Sequence, residues 1–438
     1  MIDDHNRADA NHPRFYYGWV IVAAGSIISA IGSSTLYSFG VFLDPISRDM
    51  DWTRGQLSLA YALAFVVSAF SSFGAGWLND KLGSRFTLMA SSTLLALGLV
   101  LSAGVSEIWQ FYLYYGVLFG AASTPYVVSL HTTIGLWFKH RLGFAMGLVT
   151  MSLGVGPLLF APLGGYMIGV SGWRATLLLM GIFGGILLIA CSWFVRSRPS
   201  DMGLQAYGQT AGGPATIEAL PKRPAIFYRE DEPNFFRYAM TTQPFVPLLL
   251  IHFFGCVGHS LPLAHMVAMA SDAGIPPLLA STVLAVVMGV SIAGRFATAM
   301  LAERIGGKAA FVLILAAQSG SILILLFATN VGLFYMFAVA FGLGYGGELV
   351  IFPIINRQYY GAAPIGTIYG AQMMAASLGM GLGGYLGGIM FDFMGNYLGA
   401  IIIAFVMSFL GLVTAFRLAA PFPKPTLDGA TAWVQPPC

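Results

Sequence analysis

A short loop is written twice in this chain. The segment from Gly76 to Arg85 carries Asp80, Gly83 and Arg85, and 223 residues later the segment from Ala299 to Lys308 repeats the pattern with Glu303, Gly306 and Lys308. Each copy follows a long apolar stretch. The same offset pairs Phe111 and Tyr112 with Phe334 and Tyr335, Gly143 with Gly366, and Gly147 with Gly370. A register kept through several elements marks a duplicated unit rather than a recurring motif. Two parallel halves of membrane helices, with a solute held at the seam between them, are a recurrent plan of secondary transporters.

Composition points the same way. Of 438 residues, 57% are apolar and only 9% are charged, which excludes an ordinary soluble domain and requires a surface that faces lipid. Stretches able to cross about 30 Å of hydrocarbon as helix occur near residues 17–42, 56–78, 86–105, 109–136, 143–168, 175–195, 245–270, 278–301, 309–328, 332–356, 365–391 and 398–418. The expected fold is therefore an all-α integral membrane protein of twelve transmembrane helices in two pseudo-symmetric six-helix bundles. The bundles span 17–195 and 245–418, with a linker at 196–244 and tails at 1–16 and 419–438.

Charge gives the expected orientation. All of the 21 Lys and Arg except Arg48, Arg54, Arg174 and Arg295 fall in loops and tails on the side of the N terminus, which the positive-inside rule makes cytoplasmic, together with the C terminus. The first residues lack the apolar core of a cleaved signal, so the first helix is expected to stay as an anchor. Cys191, Cys256 and Cys438 suggest free thiols rather than a disulfide framework. The linker, with Gly212, Gly213, Pro214, Pro221 and Pro224, reads as a flexible tether with room for a short surface helix. The proline-rich tail beyond Pro421 reads as disordered.

The duplicated loop resembles the signature between helices 2 and 3 of the major facilitator superfamily, in which glycine permits a tight turn and an acid–base pair latches the cytoplasmic side. By that resemblance Asp80 with Arg85, and Glu303 with Lys308, are the cytoplasmic gate, although Ala299 replaces the leading glycine of the second copy. Trp137, Phe138, Lys139, His140, Arg141, Gly143, Ala145 and Gly147 resemble the aromatic, basic, small-residue signature of monocarboxylate transporters and their bacterial relatives, which include an oxalate/formate exchanger. Lys139 and Arg141 are its basic members. Tyr17, Gly18 and Trp19 are a weaker match to that family's first motif.

Arg295 is the one basic residue assigned to the interior of a span. An arginine there is costly and normally faces a cavity or a partner, and its planar fork of donors suits a carboxylate. The resemblance implies that role, because an arginine of helix 8 binds the substrate carboxylate in the resembling family. The alternative is that Arg295 snorkels to the surface, since the eight residues to Glu303 span only about 12 Å. Two family features are missing. Animal members carry an acid four residues before this arginine, where this chain has Ser291, and a lysine near the outer end of helix 1, where it has Tyr37. Proton coupling therefore cannot be carried over.

Glu348, deep in helix 10 within a glycine-rich run, is the leading candidate for a coupling carboxyl, with the counter-ion of Arg295 as the alternative. His259 in helix 7 and His131 in helix 4 are further candidates, against the plainer reading as packing residues. Tyr126, Ser152, Phe352 and Gln372, with Tyr37, His259 and Ser291, complete the candidate substrate lining beside Arg295, each with packing as its alternative. No phosphate-binding loop and no His/Cys metal cluster occurs, so neither ATP driving, nor a cofactor, nor a metal, nor catalysis is expected. The expected partners are a small carboxylate, a proton and the lipid bilayer, with no nucleic acid. The expectation is a bacterial inner-membrane carrier of small monocarboxylates such as lactate or pyruvate, by proton symport or anion exchange. Export of amphipathic compounds and a non-transporting solute sensor are the competing readings.

Overall fold

The computed structural model describes residues 16–208, 235–360 and 366–419. Eleven continuous helical stretches there are long and apolar enough to cross a membrane, and one of them, Leu142–Phe194, is 53 residues long. Gly172 divides it: its φ of 80° and ψ of 166° are open to glycine and strained for other residues, so the chain turns back there. The spans therefore number twelve.

We label them α1 (Gly18–Met50), α2 (Arg54–Leu82), α3 (Ser84–Ala103), α4 (Ile108–Trp137), α5 (142–171), α6 (173–194), α7 (Phe245–Asp272), α8 (Pro277–Ile305), α9 (Gly307–Phe327), α10 (Val331–Tyr360), α11 (Gly366–Met394) and α12 (Leu398–Arg417). The first runs past its expected end at 42, through Pro45, with only a local turn at Ser38. The buried side chains Phe42, Leu43 and Ile46 hold this extension against the protein. The linker does contain a short helix, Phe235–Thr241. The candidate tail beyond residue 419, the linker between residues 209 and 234, and the side chain of Asp80 lie outside the described structure.

Large apolar side chains such as Phe70, Phe183, Phe327 and Phe393 point outward, as a lipid-facing surface requires. Inside, α1–α6 pack as one bundle and α7–α12 as another, and the seam joins α2 to α11, α5 to α8 and the far end of α1 to α7. Without a hydrophobic drive between helices in lipid, close approach depends on small residues. Gly384 lies against Tyr61, Gly388 against Arg54 and Ser58, Gly154 against Ile292 and Met288, and Gly40 against Ala264.

The repeat is also visible in the backbone. Gly83 and Gly306 adopt matching positive-φ conformations (83°, 159° and 89°, 152°), and their amides donate to the equivalent carbonyls of Asn79 and Ala302. We call the side of the molecule carrying these two turns the proximal face and the opposite side the distal face. Of these approaches across the seam, those of Gly40, Gly384 and Gly388 fall in the distal half and that of Gly154 near the middle. Nearer the proximal face, Gly143 and Gly147 of α5 and Gly370 of α11 have open space where a side chain would project.

Candidate functional site

Arg295 sits in the proximal half of α8, at the seam, with 9% of its surface exposed. Its Nη1 donates to the backbone carbonyl of Thr150 on α5, while its buried Nε has no partner. Among the described residues its side chain forms no salt bridge with a carboxylate. The snorkelling alternative is therefore wrong: the guanidinium points across the seam and stays within the protein. A buried cation without a counter-ion, holding one donor free, is a place for an anion.

Two phenols are its near neighbours, and two more lie beyond them. Tyr37 from α1 and Tyr345 from α10 interact with each other, and both lie within electrostatic reach of Arg295. Tyr61 from α2 and Tyr126 from α4 reach Tyr37 in the same way. Gly32 makes room for the Tyr126 ring, because a Cβ there would meet the ring and its hydroxyl. Five helices thus bring one guanidinium and four phenols together at the seam, a mixture of charge, hydroxyl donors and aromatic walls suited to a small anion.

Glu348 does not serve Arg295. Its Oε2 lies 3.0 Å from Nδ1 of His259 on α7, and the imidazole Nε2 lies 3.0 Å from Sδ of Met380. The reason is helical geometry: Tyr345 and Glu348 stand three residues apart on one side of α10. The tyrosine reaches the seam while the carboxyl reaches α7, where Gly255 leaves the space for Oε1. The Tyr345 and His259 rings meet edge to face with centroids 5.1 Å apart, so Tyr345 stands between the His259–Glu348 pair and Arg295. Oε1 of Glu348 and Nδ1 of the nearby His252 are buried without partners. His252, Cys256 and Glu348 each place one donor atom within 4.8 Å of the others, which is three donors where a closed structural zinc site uses four.

Four candidate lining residues are used otherwise. The Phe352 ring stacks on His252 at 3.8 Å and meets Phe311 edge to face, inside the second bundle. Gln372 and Asn356 exchange both amide hydrogen bonds, at 2.8 and 3.0 Å, tying α11 to α10. The hydroxyls of Ser152 and Ser291 donate back to Leu148 and Met288 of their own helices. His131 is half-buried on α4. The residues that sequence reasoning missed, Tyr345 and Tyr61, carried no signal beyond being phenols within apolar spans.

The signature residues have a structural task. Trp19 packs edge to face on Phe138 at 4.9 Å, the Tyr16 hydroxyl donates to the Trp137 carbonyl, and the Trp137 indole donates to the Arg196 carbonyl. The two family-like motifs thereby join the start of α1 to the α4–α5 turn, leaving Lys139 and Arg141 exposed. At the duplicated loops, Arg85 stacks over Trp193 at 3.8 Å, Glu303 is exposed, and the Lys308 ammonium donates to the Leu418 carbonyl.

Two helical bundles enclosing an uncompensated cation at their seam define a membrane solute carrier rather than an enzyme. The family model of the Major Facilitator Superfamily matches residues 22–245 and 248–436, and the chain belongs to that superfamily. It is 28% identical to monocarboxylate transporter 13 of Rattus norvegicus over 381 residues, covering 86% of this chain and 83% of the relative. It is 24% identical to the oxalate:formate antiporter of Oxalobacter formigenes, covering 83% and 84%. Among solved structures, a partially occluded inward-open conformation of the xylose transporter XylE from E. coli superposes with a TM-score of 0.68 at 12% identity, covering 92% of this chain and 99% of that one, which establishes the shared fold.

Proposed function

We propose that this carrier moves small monocarboxylates, of the size of lactate and pyruvate, by alternating access at the Arg295 site. The observation that carries the reading is the buried guanidinium with a free Nε and no carboxylate salt bridge, with Tyr37 and Tyr345 within its electrostatic reach and Tyr61 and Tyr126 beyond Tyr37. A carboxylate would take the free side of the fork, and the phenols would donate to its oxygens or to a 2-oxo or 2-hydroxy group. The relatedness to monocarboxylate transporters and an oxalate:formate antiporter supports the same substrate class. The basic loops support a cytoplasmic proximal face under the positive-inside rule, and the bilayer we propose is a bacterial inner membrane.

We further propose proton symport through the His259–Glu348 pair. A buried imidazole and carboxyl can hold one proton between them as a neutral pair or as an ion pair, and such groups within membrane helices mark proton pathways. The groups that face the pair are His252 and Cys256 on α7, Tyr345 on α10 and Met380 on α11, with Tyr37 and Arg295 beyond Tyr345. Tyr345 links the two halves of the site, so proton and carboxylate need not compete for one cation. The competing reading, anion exchange, uses Arg295 alone.

Proteoliposome uptake of labelled lactate, pyruvate, oxalate and formate, with and without an imposed pH gradient, tests both statements. Accumulation of lactate or pyruvate only with the gradient supports symport. Oxalate uptake that needs internal formate and ignores the gradient replaces it with exchange. Transport of none of the four overturns the substrate class.

A further inference from the structure

A second arginine spans the seam at the distal face, away from the substrate site. Arg54 is the first residue of α2, and 7% of its side chain is exposed. Its two terminal nitrogens donate to the two oxygens of Asp272, at 2.5 and 2.8 Å, across to the end of α7 in the other bundle. Nη1 also donates to the Tyr397 hydroxyl at 2.9 Å, and the guanidinium lies 4.0 Å over the Phe391 ring, both again in the other bundle. Asp44 on α1 holds Nη2 from its own side, at 3.0 Å.

The backbone makes the same crossing. Thr53 caps α2 through the amide of Gln56 in a reciprocal capping box, which leaves the amides of Arg54 and Gly55 without helical acceptors. Asp392, at the end of α11, accepts both, at 3.1 and 2.8 Å. A carboxylate placed there also meets the positive end of the α2 dipole. Gly55 has to be glycine for this to happen, because a Cβ would push into the Asp392 carboxylate. His265 completes the layer, with Nδ1 3.1 Å from the Tyr397 hydroxyl and Nε2 3.3 Å from the Ser58 hydroxyl.

From this geometry we infer that Arg54 is a gating residue of the transport cycle, locking the distal face through Asp272 and Asp392 while the proximal face is open. The lock is bipartite: a bidentate ion pair on the side chain and a cross-bundle cap on the helix end. Both arms break when the bundles rock apart at the distal face, and both re-form together. Asp44 stays with Arg54 through the cycle and keeps the guanidinium from being left as an unpaired charge when Asp272 departs. The duplicated loops would act at the opposite face, and the states of the two faces alternate. The inference holds for any solute carried at Arg295.

The test uses two reporter cysteines in the full-length protein, read by the rate of reaction with a polar maleimide. Ser281→Cys reports the distal seam, where Ser281 is buried under Gly165. Gly147→Cys reports the proximal opening, on the same stripe of α5 as Thr150 and Gly154. With Asp272→Asn, labelling at Ser281→Cys should rise roughly tenfold and labelling at Gly147→Cys should fall, because population moves from one state to the other. Asp392→Asn should act in the same direction, and Asp272→Glu should restore part of the closure. Arg54→Lys keeps the charge, loses the fork and serves as the gentler variant should Asp272→Asn fold poorly. Unchanged rates at both reporters, or rates that rise together as in a loosened protein, overturn the lock.

Discussion

The carboxylate of Glu348 on α10 lies 3.0 Å from the imidazole Nδ1 of His259 on α7, inside the second bundle, where Gly255 leaves room for its other oxygen. This pairing engages Glu348 with His259 and leaves Arg295 without a carboxylate salt bridge among the described residues. In the proposed function the two groups have separate tasks, holding an anion and holding a proton, and Tyr345 packs on His259 within electrostatic reach of Arg295.

If the pair carries the coupling proton, Glu348→Gln removes the proton site and leaves Arg295 in place. Accumulation driven by a pH gradient should be lost, while exchange of labelled for unlabelled substrate at equal concentrations persists. Gly255→Ala should weaken gradient-driven accumulation as well, because its methyl would displace Oε1 of Glu348. Gradient-driven uptake that survives in Glu348→Gln makes the pair structural.

Gln372 is predicted to matter for stability and not for selectivity. Gln372→Ala leaves the buried amide of Asn356 unpaired, at a cost of about 1–3 kcal/mol. Thermal unfolding in detergent should shift down while the ranking of lactate, pyruvate, oxalate and formate stays the same. A changed ranking would return Gln372 to the substrate lining.

The duplicated loops are predicted to hold the proximal face when it closes. In the conformation described here Arg85 rests on Trp193 and Lys308 on a backbone carbonyl, leaving both basic groups engaged within their own halves. Asp80→Asn should favour the proximal-open state by roughly tenfold, a bias of ~1.4 kcal/mol, and raise labelling of Gly147→Cys. An unchanged labelling rate counts against a latch at Asp80.

Much of the architecture is legible in the chain because span length, loop charge and the repeat are local or periodic properties. Gly83 and Gly306 share one backbone conformation as their matching positions suggest, and Arg295 is marked by being the wrong residue for lipid. The partners of the site were not legible. His259 and Glu348 are separated by 89 residues and meet only through the packing of α7 on α10. Phe352, a candidate for the substrate lining with packing as its alternative, stands four residues from Glu348 on the side of α10 that meets α7 and packs on His252. Ser152 and Ser291 are polar groups whose needs are met within their own helices. Arg54 carried the sign of an ordinary outer-loop charge, and its importance comes from the carboxylates of Asp272 and Asp392, which the fold brings to it.

In the proposed function the free fork of Arg295 receives the substrate carboxylate. Arg295→Lys keeps the charge in the seam but gives up the planar pair of donors, so it separates electrostatic attraction from recognition. The decisive measurement is calorimetric titration of lactate and pyruvate into purified wild-type and Arg295→Lys proteins, with the fold of each checked by gel filtration and thermal unfolding. Saturable binding to the wild type is expected, with affinity at least about tenfold weaker in the folded variant. Wild-type affinity in Arg295→Lys would contradict it.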